Sequence, residues 1–167
     1  GAHKQGSIKA KTLYNLLCLV MKVIKGGKVA DSVLISNGNL QILENVVSGK
    51  IDVNLSKALQ SIILGIYSTL LGAQCPGYTV RNVLGSMITL VSSKATPFSG
   101  KECAISILGV ITRQRASDCG SMLSEILTTL MKTIKNCSSS EVTWKVLSLQ
   151  AIDHIVVGAR NRIADVH

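Results

Sequence analysis

The sequence predicts an all-α fold whose helices stack in succession as an α-solenoid. Apolar residues make up 47% of the 167 positions but aromatics only 3%, so the core must be built from Leu, Ile, Val and Ala. Only two prolines interrupt the chain, which favours long unbroken elements. Apolar residues recur at helical spacing, and similar helices return after about 44–45 residues, a period typical of helical-repeat proteins. The length and a mean hydropathy of +0.38 fit one ordered domain with a sizeable core.

In chain order, "IKAKTLYNLLCLVMKVI" places Leu13, Leu17, Cys18, Met21 and Ile24 on one helical face. "GGK" at 26–28 ends that helix, with glycine expected to supply a left-handed C-cap. Asp31 or Ser32 opens the next element. "LQILENVV" follows with Leu40, Leu43, Val46 and Val47, and Gly49-Lys50 turns the chain. "NLSKALQSIILGIYSTLLG" is a third helix ending at Gly72, and "AQCPGY" is a loop. The order then repeats. "VRNVLGSMITLVS" is a shorter helix and "KATPF" a turn. "SGKECAISILGVIT" is longer, and "RASDCG" is a loop. "MLSEILTTLMKTI" is short again, "NCSSS" a turn, and "EVTWKVLSLQAIDHIVV" long. Ser99 with Glu102 and Ser138 with Glu141 carry capping-box spacing at two of the long-helix starts.

Aligning the four long helices at that shift gives columns of shared character. They read Leu13, Ala58, Cys103, Leu147; Tyr14, Leu59, Ala104, Ser148; Leu17, Ile62, Ile107, Ala151; Cys18, Ile63, Leu108, Ile152; and Met21, Ile66, Ile111, Ile155. Only Ser148 is plainly polar. An ordinary helical bundle is the alternative, and the long–short–long order favours the solenoid over it.

The segment "VLISNGNLQILENVVSGKIDVNLSKALQSIILGIYSTLLG" resembles an armadillo repeat: a short first helix, a glycine, a Leu-rich second helix, and a turn into a longer third helix with an Ala-Leu pair. HEAT repeats are the close relative, and the residues do not separate the two. The resemblance covers about residues 8–158 and implies a right-handed α-solenoid of about three and a half repeats. Residues 1–7, beginning Gly-Ala-His, read as an expression scar and flexible lead-in. Residues 159–167 read as a C-terminal tail. Neither end shows a polar capping helix, as expected of a piece excised from a longer array.

The net charge of +9 suits an acidic partner. The 18 Lys and Arg are dispersed, however; Lys22, Lys25 and Lys28 come nearest to a cluster. Five cysteines at wide spacings, with no C-x-x-C, argue against a disulfide framework or zinc module and for free thiols in a reducing compartment, cytoplasmic or nuclear. No formal charge appears between Lys57 and Arg81, but polar residues and Pro76-Gly77 interrupt that run, so a buried helix is expected there rather than a membrane span.

Chemistry is sparse. Asp153 and His154 are helix neighbours and diverge by about 100°. Cys137 and His154 would lie roughly 25 Å apart along a continuous helix. Phosphate-binding glycine motifs and paired carboxylates are missing, so neither an enzyme nor a cofactor or metal site is expected. A surface remains. The resemblance implies that the long helices line a concave face that binds peptides or partner helices. The outward positions on those helices are Asn15 and Lys22; Lys57, Ser61 and Ser68; Glu102, Ser106 and Arg113; and Lys145, Gln150 and Asp153. Trp144 is either an interface anchor or a cover for the edge of the last repeat. Because position 148 is serine and the other long helices carry no tryptophan, the Trp–Asn array of importin-α-type repeats is absent. The expected function is a protein–protein interaction scaffold for an acidic peptide or helix. The alternatives are a nucleic-acid-binding repeat module, weakened by the few stacking aromatics, and a self-association segment of a longer solenoid.

Overall fold

A computed structural model describes residues 2–26 and 37–166, with side chains from 10 to 26 and from 40 to 160. Within the described residues the chain is all-α. The helices are α1 (Ala2–Lys25), α2 (Asn37–Val47), α3 (Lys57–Leu70), α4 (Gly77–Ser92), α5 (Phe98–Gln114), the single turn α6 (Ala116–Cys119), α7 (Met122–Asn136) and α8 (Val142–Val166), with a 3-10 turn at Ser139–Glu141 before α8. Asp31, Ser32, Gly27 and Lys28 lie outside the described residues.

In chain order, α1 packs on α3, α3 on α5, and α5 on α8, the most extensive contact. Of the other helices, α4 packs on α5 and α7, α7 packs on α8, and α2 packs on α5. Most members of the aligned columns are buried or half-buried. Leu59, Ile63, Ile66, Ala104, Ile107, Leu108, Ile111, Ala151 and Ile155 are all buried. Each large aliphatic side chain there contributes about 1.5–3 kcal/mol relative to exposure. The α2 stripe Leu40, Leu43, Val46 and Val47 is buried too. Two members of the columns depart from the pattern: Ala58 is exposed, and Tyr14 is 38% exposed.

Local chemistry sets the boundaries. Ser56 caps α3, its hydroxyl accepting from the Leu59 N–H at 3.2 Å. Gly49 makes the expected turn with φ +82°, and a Cβ there would also press on the Pro97 ring. Gly26 is not left-handed; its N–H simply continues the α1 ladder to Lys22 at 3.0 Å. The Ser138–Glu141 capping box forms, with the carboxylate accepting from the Ser138 N–H at 3.0 Å. The one expected at Ser99–Glu102 does not. Pro97, in an extended conformation, takes the N-cap position two residues earlier, and the Glu102 carboxylate reaches across to α3.

Several elements differ from the sequence expectation in extent. Helix α1 begins at Ala2, inside the segment read as a lead-in, and α8 continues to Val166, through the segment read as a tail. The loop expected at "RASDCG" holds the α6 turn. The expected long–short–long order is not kept, because α4 has 16 residues and α7 has 15, against 14 in α3. The uncharged run after Lys57 divides into α3, a tight turn and the start of α4. No described helix is long and apolar enough to cross a membrane.

Candidate functional site

Helices α1, α3, α5 and α8 carry the positions expected to face outward. Asn15, Lys22, Lys57, Ser61, Arg113, Lys145, Gln150 and Asp153 are exposed; Ser68, Ser106 and Trp144 are half-buried. Glu102 corrects the expectation. It is buried, with its side chain only 5% exposed, and its carboxylate accepts from Lys57 Nζ at 2.9 Å and Gln60 Nε2 at 3.0 Å. It is a seam residue between α3 and α5. The pair is asymmetric, because Lys57 keeps 73% of its side chain exposed. The ammonium therefore gains little from the contact, whereas the buried carboxylate depends on it.

One more contact ties the same helices: Gln114 Nε2 donates to Ser68 Oγ at 2.6 Å. Within α5, Ser106 Oγ donates back to the Glu102 carbonyl at 3.1 Å. Ser106 and Gln150 meet at one shallow groove of about 140 Å³, which spans α3, α5 and α8 and is floored by Leu64, Gly109, Val110, Leu147, Ala151 and His154. At Gly109, one of the lining residues, α5 and α8 approach closely: a Cβ there would sit 2.9 Å from Ala151 Cα. Lys145 is not part of it. It lies at the α7–α8 turn, close enough to Cys137 to act on that thiol electrostatically.

Trp144 is committed to the α5–α8 seam. Its ring stacks on Phe98 at 4.7 Å, its Nε1 donates to the Phe98 carbonyl at 3.3 Å, and Lys101 Nζ lies 4.9 Å from its centroid. The single phenylalanine precedes the single tryptophan by 46 positions, a separation from which the sequence gives no direct sign of contact.

The Asp153-His154 pair separates as expected. Asp153 is exposed, while His154 turns inward against Gly109, its Nδ1 buried without a hydrogen-bond partner among the described residues. Burial pushes the Cys103 thiol up to about 12 and Cys119 up to about 11, and raises Cys75 and Cys137 as well. Four of the thiols are therefore poor sources of thiolate at neutral pH. Among the described residues no group of three His, Cys, Asp or Glu could hold a metal ion.

Arg115 was not singled out in the sequence. It donates to the carbonyls of Gly72 and Cys75 and pairs with Asp118 at 2.7 Å, clamping the α3–α4 turn onto the end of α5. An arginine one residue past a helix end gives no sign of its partners some forty positions away. The sequence matches no family model, no curated protein and no solved structure.

Proposed function

We propose that the chain is a non-enzymatic scaffold for protein–protein interaction. In this reading it is a right-handed α-solenoid of about three and a half armadillo- or HEAT-like repeats. Its long helices line a concave face that holds an extended or helical partner segment of acidic or mixed charge. One observation carries the reading: each long helix packs on the next in chain order, and a groove crosses three of them at Ser106 and Gln150. Arg113 is exposed on one of those helices and supplies positive charge, whereas the exposed Lys57 is paired with Glu102. Five unpaired cysteines are consistent with a reducing cytoplasmic or nuclear setting.

A photo-crosslinking residue at Gln150 tests the placement by capturing the partner. Arg113→Glu combined with Gln150→Glu should keep the helical circular dichroism and lose partner binding. Binding that survives both charge changes places the partner elsewhere.

A second reading has its own support. Leu16, Leu19 and Val23 on α1, and Val146, Leu149 and Val156 on α8, are large, apolar and exposed at the two ends of the stack. In that reading the ends take further repeats or a second copy. Light scattering across a concentration series tests self-association; a mass that stays monomeric removes the second copy.

A further inference from the structure

Another cavity, of about 410 Å³, lies where the α4–α5 and α7–α8 turns meet. Lys94, Lys101 and Lys132 line it, with Thr129, Asn136 and Trp144. None of the three lysines has an ion-pair partner among the described residues. Glu141 is the one acid in the wall, and its carboxylate is engaged by the Ser138 N–H at 3.0 Å. Lys101 is held beside the Trp144 ring, and that ring is itself fixed on Phe98. The wall is thus partly ordered before any ligand arrives.

Three ammonium groups against one carboxylate leave two positive charges in excess. A carboxylate ligand brings one negative charge and two oxygens. A phosphate monoester brings a charge of roughly −1.5 to −2 and three strong acceptor oxygens, which matches the excess. Lysines bind phosphate as point charges, without the planar fork that arginine offers to carboxylates. The volume is ample for a phosphorylated side chain or small molecule.

We propose that this cavity binds a phosphate monoester dianion, carried by a phosphorylated residue of a partner segment or by a small phosphorylated metabolite. It lies apart from the α3–α5–α8 groove, so the two sites can be tested independently. Trp144 is the only tryptophan, and its emission reports directly on the cavity wall. The full chain is titrated at low salt with glycerol phosphate, with a short phosphoserine peptide, and with the same peptide carrying glutamate. A saturable emission change with the phosphates is expected. Lys94→Gln plus Lys132→Gln should weaken it by about tenfold or more, with Lys94→Gln alone giving a smaller loss. Lys50→Gln, away from the cavity, should leave it unchanged. Tighter binding of the peptide assigns the phosphate to a partner segment; tighter binding of glycerol phosphate assigns it to a metabolite. No saturable change up to about 10 mM, equal affinity for the glutamate peptide, or undiminished affinity in the double variant overturns the proposal. Lys94 and Lys132 are both exposed, so the variants should fold, which circular dichroism verifies.

Discussion

Replacing Gly109 by alanine tests how closely α8 lies on α5. The new Cβ would stand 2.9 Å from Ala151 Cα, 3.0 Å from Ala151 Cβ and 3.4 Å from His154 Nδ1. Carbon atoms prefer about 3.5–4.0 Å, so α8 would have to retreat by roughly half an ångström or more. Overpacking of that kind costs about 1–3 kcal/mol. Alanine also gains about 1 kcal/mol of helix propensity over glycine, which offsets part of the cost. The net expectation is a destabilisation of about 0–2 kcal/mol. Gly85→Ala isolates the steric part. Gly85 is also inside a helix, but its added Cβ would meet only Met122 Cε, at 3.9 Å. That variant should be more stable than the parent by about 0.5–1 kcal/mol. Urea denaturation followed by circular dichroism reads both. If Gly109→Ala is as stable as Gly85→Ala, the tight α5–α8 seam is refuted.

Three further outcomes are expected. Around pH 9.0 the unfolded chain loses thiol protons that Cys103 and Cys119 keep when folded, so stability should fall as pH rises past 9.0, through Cys119 up to about 11 and through Cys103 up to about 12. The slope approaches roughly 1.4 kcal/mol per pH unit per thiol and fades below pH 9.0, and Cys103→Ala should flatten the pH profile of the melting temperature. Ser148→Ala should be neutral or stabilising by about 1 kcal/mol, because Ser148 Oγ is buried without a hydrogen-bond partner among the described residues; a clear loss in urea denaturation would show that the hydroxyl is satisfied. Arg115→Met should cost about 2–4 kcal/mol by the same measurement, since it strands two carbonyls and the Asp118 carboxylate, and a change under 1 kcal/mol would deny the clamp.

The sequence by itself determined the helices and their inward faces. Leu59, Ile63 and Ile66, or Ile107, Leu108 and Ile111, repeat at the spacing of an α-helix, and burial of an apolar stripe is a local consequence of that spacing. The turn at Gly49 and the capping box at Ser138–Glu141 were legible for the same reason: their chemistry involves residues only a few positions apart.

Only the tertiary structure decided which polar residues are surface and which are seam. Glu102 shares a helix face with Ser106, but Lys57 and Gln60, more than forty positions earlier, close over it. Arg115 finds its carbonyls across a similar gap, and Trp144 finds Phe98. Periodicity specifies the direction a side chain leaves its own helix. The distance to the next helix depends on small residues such as Gly109 and Ala151, and on the summed packing of the helices around them. The lysine-lined cavity is the clearest instance. Lys94, Lys101 and Lys132 look dispersed along the chain and converge only because two turns meet in space.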